Sequence, residues 1–333
     1  MIRKKYGGAV ATVSALALVL TACSGTPETP GDTEVPDEPK PVVSVAFSSA
    51  VPQIEKVPTL QALEVLEEQG YETETVWFQS SEDPAQAVAR GDAHFGSASS
   101  TAVLGAIATG IPLTAVACVV NPAYVIAASV DIASPAEIGG KRVAINSVVS
   151  STTMHVRLMM NDNPGVAEPE LLVIPGTPAR VSALLAGQTD AAVLQLSAMP
   201  VLEEQAPGQF HSIYDVGARA VGLCDSYLFV NTTFLEQNRE FVEHVTAEVI
   251  AAQAAAYSDT DDLARAIAQY VPDQSDPESA AAMAKLYVDA HTWAPDGGFS
   301  STAVTFTLDR LEEAGLVDPI PTIDECCDLT VAP

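Results

Sequence analysis

Between residues 42 and 215 the chain alternates between strand-like and helix-like pieces, and this alternation limits the fold more than any other property of the sequence. Residues 42–47 (VVSVAF) form an apolar run of strand length. Leu60, Leu63 and Leu66 then recur at helical spacing across 60–68, until Gly70 ends the pattern. Residues 72–78 alternate as a strand does. Asp83-Pro84 and Gly91 bracket a helix at 85–90 with an N-terminal acid and proline and a C-terminal glycine. The same reading predicts strands at 93–95, 113–119, 124–128, 142–145, 171–174, 191–194, 210–214 and 227–230. It places helices at 101–109, 151–160, 178–186 and 199–204, and a helical return at 241–257, 263–270, 279–289 and 302–314. Strands joined by helices of this length build parallel sheets covered on both faces.

The start of the chain sets its compartment. Arg3-Lys4-Lys5, an apolar stretch at 9–20 and small residues after it have the order of a secretory signal peptide over residues 1–22. The stretch is shorter than the roughly 20 residues that a membrane-crossing helix needs. Leu20-Thr21-Ala22-Cys23 resembles the lipobox of bacterial lipoproteins. That resemblance implies palmitate-type acylation of Cys23 and a lipid anchor on the extracytoplasmic face of the cell membrane, where more than one acyl chain gives stable tethering. Residues 23–41, rich in Pro, Thr and acidic side chains, bury too little apolar surface to fold and predict an extended linker.

Forty-three acidic against 15 basic residues give a formal net charge of −28, and the leader carries some of the few basic ones. Phosphates would be repelled over the whole surface, which excludes nucleic acid as a partner. Cys118, Cys224, Cys326 and Cys327 lie in a chain bound for a compartment that permits disulfides, and four thiols allow three pairings. Adjacent Cys326 and Cys327 bridge each other only with strain, so the expectation is that at least one pairs at long range or stays reduced. No Cys/His spacing suits a metal, and no cofactor motif is present. The five histidines show no His-x-x-x-His spacing, and there is no Gly-x-Ser-x-Gly elbow, so no catalytic residue is assigned.

Three blocks occur in order: Gly91-Asp92-Ala93-His94-Phe95-Gly96, Ile138-Gly139-Gly140-Lys141-Arg142-Val143-Ala144 and Ala186-Gly187-Gln188-Thr189-Asp190-Ala191-Ala192. Together they resemble the periplasmic binding-protein family of nitrate, taurine, aliphatic-sulfonate and thiamine-pyrimidine importers, over roughly residues 42–245. The resemblance implies an α/β, two-lobe type II periplasmic binding protein fold. Two parallel-core sheets flanked by helices would meet at a hinge of two crossovers, with ligand between the lobes. Lobe 1 would comprise 42–120 and 225–333, and lobe 2 would comprise 121–224. Cys118 and Cys224 then fall near the crossovers, where a bridge and two small buried thiols both fit.

In such sheets ligands sit beyond the carboxyl ends of strands, at helix N-termini, where free N–H groups and a partial positive charge attract polar or anionic groups. Ser48, Gln79, Ser99, Ser100, Ser151, Thr152 and Gln195 occupy these places. Each serine or threonine is accounted for singly as a helix cap, and the set as a cleft lining. Phe47 and Tyr124 offer planar stacking, and Asp225 at the second crossover offers an acceptor for a cationic or donor edge. With no Arg or Lys evident at the strand ends, a planar or polar organic molecule is favoured over a sulfonate- or nitrate-like anion. The expected function is a solute-binding lipoprotein, not an enzyme. It would serve an ABC permease and its ATPase, and would be held at the membrane through lipid on Cys23. A tethered sensor for a membrane receptor is the first alternative. A thiamine-pyrimidine-synthase-like enzyme is the second, although the Cys-rich motif of that relative is missing.

Overall fold

The computed structural model describes residues 40–332. The expected leader, the lipobox-like stretch with Cys23 and the expected linker as far as residue 39 lie outside the described residues.

Among the described residues, ten strands form two five-stranded sheets. They are β1 (Val43–Phe47), β2 (Thr73–Trp77), β3 (Phe95–Ser99), β4 (Leu113–Val120), β5 (Tyr124–Ser129), β6 (Arg142–Ile145), β7 (Glu170–Val173), β8 (Ala191–Gln195), β9 (Phe210–Asp215) and β10 (Ser226–Asn231). The first sheet has the order β2-β1-β3-β10-β4 and the second β7-β6-β8-β5-β9. β1 runs parallel to β2 and β3, and β6 runs parallel to β7 and β8, as the alternation predicts.

Each sheet also contains one reversed strand set beside its parallel core. β10 is antiparallel to β3 and β4, and β5 is antiparallel to β8 and β9. Both reversed strands directly follow a crossover. A chain leaving the carboxyl end of one sheet enters the other at that sheet's carboxyl edge, and so runs against its new neighbours. Tyr124, the first residue of β5, therefore pairs with Gln195, the last of β8. Ser226, the first of β10, pairs with Ser99 and Val120, the last residues of β3 and β4. The crossovers thus sit where the carboxyl ends converge.

Five helices bear on the site: α1 (Val57–Glu68), α2 (Asp83–Arg90), α3 (Ser100–Ala108), α4 (Ser151–Asp162) and α5 (Thr177–Leu185). Leu60, Leu63 and Leu66 of α1 are buried with Val43 and Val45 of β1 and with Val242, Val245 and Val249 of the helix Arg239–Ser258. β4 is buried along its whole length although it ends its sheet, because its apolar run is covered on both faces. Gly96 is fixed by a close approach: a β-carbon there would lie 2.2 Å from the Phe229 ring carbon Cζ.

The cysteines pair as Cys118–Cys224 and Cys326–Cys327. The first bridge ties β4 to the segment entering β10. The second corrects the expectation of long-range pairing or a free thiol. Cys326 ends a helical turn while Cys327 is extended at φ −144° and ψ 139°. Cys327 N–H donates to Ile323 O at 2.9 Å and Asp328 N–H to Ala115 O at 3.0 Å, which holds the chain where the two side chains meet.

Candidate functional site

The carboxyl ends of β1, β3 and β8, the crossover residues and the N-termini of α4 and α5 enclose a cleft of about 310 Å³. Eight of the sequence-predicted residues line it: Ser48, Gln79, Ser99, Tyr124, Ser151, Thr152, Gln195 and Asp225. Two do not. Phe47 is wholly buried, its ring stacked on Trp77 with centroids 4.4 Å apart, so it belongs to the core. Ser100 is also wholly buried in the first turn of α3, where its N–H donates to Asp225 O at 2.9 Å and holds the crossover. Ser99 lines the cleft and also caps α3, accepting from Ala102 N–H at 3.3 Å. Arg157, on the helix that opens with Ser151 and Thr152, pairs with Glu168 at 2.5 Å on the outer face of α4.

Buried charge is what the sequence reading missed. Glu55, Lys56 and Arg180 all line the cleft, so the inference that it lacks Arg and Lys is corrected. Glu55 and Lys56 lie in the single turn Ile54–Lys56 between β1 and α1, which in sequence resembles a solvated loop. Trp293 covers that turn from the far end of the chain, its Nε1–H donating to Glu55 O at 3.0 Å. Burial pushes the Glu55 carboxyl up and the Lys56 ammonium down from their ordinary values.

Arg180 is 2% exposed, and no carboxylate among the described residues pairs with it. Its guanidinium instead donates to Val193 O at 2.7 Å, to Asn146 Oδ1 and Ile174 O at 3.2 Å, and to Thr177 Oγ1 at 3.1 Å. Desolvation lowers its pKa to about 10. Gly176, which precedes α5, adopts φ 85° and turns its N–H to Asn146 Oδ1 at 2.9 Å, so the α5 terminus and Arg180 share one acceptor.

Hydrogen bonds join the two sheets' sides of the cleft. Gln195 Nε2 donates to Glu55 Oε1 at 2.7 Å and to Gln53 Oε1 at 3.3 Å. Thr177 Oγ1 in turn donates to Gln195 Oε1 at 3.3 Å, so that Glu55, Gln195, Thr177 and Arg180 form one chain. At another point Ser147 Oγ donates to Glu82 Oε1 at 3.2 Å. Beside this chain, His155 Nε2 and Asp225 Oδ1 lie 2.7 Å apart, both buried, and the Tyr124 ring packs on His155 at 4.9 Å. Burial raises the Tyr124 hydroxyl well above its ordinary pKa. At the start of α4, Ser150 Oγ and Thr152 Oγ1 are 2.7 Å apart, and Thr152 Oγ1 accepts from Asn146 N–H at 2.8 Å.

The family model described as NMT1/THI5 like matches residues 66–262. The chain belongs to this family. Among solved structures, the ligand-binding component of an ABC-type import system from Staphylococcus aureus, with zinc bound, gives a TM-score of 0.73 at 12% identity. The match covers 88% of this chain and 98% of that one. The alkanesulfonate-binding protein SsuA from Xanthomonas axonopodis pv. citri, bound to MOPS, gives 0.69 at 19% identity over 86% of this chain and 98% of that one. The periplasmic nitrate-binding protein NrtA from Synechocystis PCC 6803 gives 0.65 at 13% identity over 87% and 86%. No curated protein matches. At these identities the likeness establishes the fold, which is the periplasmic binding protein fold in an NMT1/THI5-like member.

In this family member the three sequence blocks are scaffold. Gly91 closes α2 in the left-handed region at φ 77°, and Gly96 gives way to Phe229. The Arg142 guanidinium forks onto Asp190, with Nε to Oδ2 at 3.0 Å and Nη2 to Oδ1 at 2.8 Å, locking the second block to the third. Those hydrogen bonds hold the Asp190 carboxyl below its ordinary pKa.

Proposed function

We propose that the protein is an extracytoplasmic solute-binding component of an ABC importer, lipid-anchored at Cys23, which takes a small polar molecule into the cleft and delivers it to the permease and its ATPase. Ser48, Gln79, Ser99, Tyr124, Ser151, Thr152, Gln195 and Asp225 are proposed to contact the solute, together with Glu55, Lys56 and Arg180. One observation carries this reading: the cleft is bridged from both sheets by the bond of Gln195 to Glu55, next to buried charges and two helix N-termini. A solute bonding to both sides favours the shut arrangement by its differential contacts, and a permease can read that arrangement. The likeness in fold to the ligand-binding component of an ABC-type import system and to sulfonate- and nitrate-binding proteins supports the same reading by analogy.

The test combines native mass spectrometry of protein purified from its source with small-angle scattering. A co-purifying small molecule is expected, and its removal should raise the radius of gyration reversibly. If no molecule is retained and no candidate solute alters scattering or thermal stability, the reading fails.

A further inference from the structure

We propose, resting on the solute-binding reading above, that Glu55 selects the solute: it accepts an N–H donor from an amidine or amine nitrogen, while an oxygen acceptor on the same molecule lies toward Arg180. Glu55 is 6% exposed and forms part of the cleft wall. Gln195 satisfies its Oε1, yet Oε2 is enclosed with no partner among the described residues. A buried oxygen left in this way is destabilising whether the group is charged or protonated. A solute entering the opened cleft meets this acceptor, and pairing with it removes that cost as the cleft shuts.

The neighbours decide the sign of the group that fits. Asp225 adds a second buried carboxyl to the same lining. Lys56 turns its ammonium to Ser97 Oγ at 3.3 Å, away from any hydrogen bond to Glu55. An oxyanion placed against Glu55 Oε2 would meet the oxygens of two carboxyl groups, whereas an N–H donor there meets an acceptor that has no partner among the described residues. At the other end the four hydrogen bonds of Arg180 leave one of its five N–H donors free. That donor lies beside the α5 terminus, where an oxygen acceptor is stabilised. The cleft is therefore polar in one direction, from acceptor at Glu55 to donor at Arg180, with Gln195 and Thr177 linking the ends.

The test uses two rigid molecules of equal shape, 4-amidinobenzoate and terephthalate, titrated calorimetrically into the full chain after removal of any co-purified solute. The amidine is expected to bind at least about tenfold more tightly than the dicarboxylate. Glu55→Gln should bring the two affinities within about threefold. Equal or tighter binding of terephthalate by the unaltered protein overturns the proposal, and this comparison does not depend on the variant folding. A preference unchanged in Glu55→Gln overturns it as well, as does binding of neither probe. A retained native solute without any N–H donor defeats this inference alone. The absence of any retained solute and of any closure defeats the solute-binding reading itself.

Discussion

Gln195 Nε2 lies 2.7 Å from Glu55 Oε1, and this one bond joins the last residue of β8 to the turn before α1 across the cleft. The same amide accepts from Thr177 Oγ1, so replacing it disturbs both ends of the chain that ends at Arg180. Gln195→Ala leaves a buried carboxyl without its donor, which costs about 1–3 kcal/mol. The expected result in urea melts is a lower midpoint with an unchanged slope, because the surface exposed on unfolding stays the same. Scattering from the solute-free variant should also show a more open molecule than the unaltered chain.

Arg180 holds Val193 O within β8, Ile174 O just after β7 and Asn146 Oδ1 just after β6, as well as lining the cleft. Arg180→Met keeps most of the stem and removes every donor, leaving Val193 O and Ile174 O short of partners. A loss of about 2–4 kcal/mol is expected from two or more such groups. Arg180→Lys should recover little of it, since a single ammonium cannot span acceptors fixed by a planar fork. Denaturant titration of the two variants side by side checks both statements.

The scaffold was legible because its signals are local. β4 reads as an apolar run, α2 as a proline-to-glycine bracket, and Asp190 and Arg142 fall within blocks whose spacing is short. The hydroxyl-bearing half of the cleft was legible for the same reason, since Ser99, Ser151 and Thr152 sit where strands hand over to helices. The charged half was not. Glu55 is held by Trp293, more than 200 residues away, Lys56 by Ser97 of β3, and Arg180 by carbonyls in β8 and just after β7. Nothing within a window around any of the three distinguishes it from a solvated charge. Phe47 errs in the opposite direction: its place at a strand end is right, but its ring turns to Trp77 rather than to the cleft.

The Cys118–Cys224 bridge spans 106 residues and fastens both crossover segments together, so it restricts the unfolded chain strongly. Replacing both cysteines by alanine should cost about 2–5 kcal/mol. The double variant, with Cys326 and Cys327 untouched, isolates this bridge from the other. Thermal unfolding under oxidising conditions should show the loss, and adding reductant to the variant should reproduce much less of it than adding reductant to the unaltered protein.

Glu55 makes stability depend on pH in a direction fixed by its environment. Burial raises its carboxyl above the ordinary value of 4.5, ahead of the opposing pull of Lys56. The folded form therefore holds this proton more tightly than the unfolded chain does. Its contribution to stability is complete below pH 4.5 and is lost as the pH rises through the folded value. Glu55→Gln carries no such proton, so the difference in unfolding free energy between the unaltered protein and the variant should move in the variant's favour as the pH climbs from about 4.5 toward neutrality. Urea melts of the solute-free proteins at intervals across that range test it, and a difference that stays constant or moves the other way would refute the assignment.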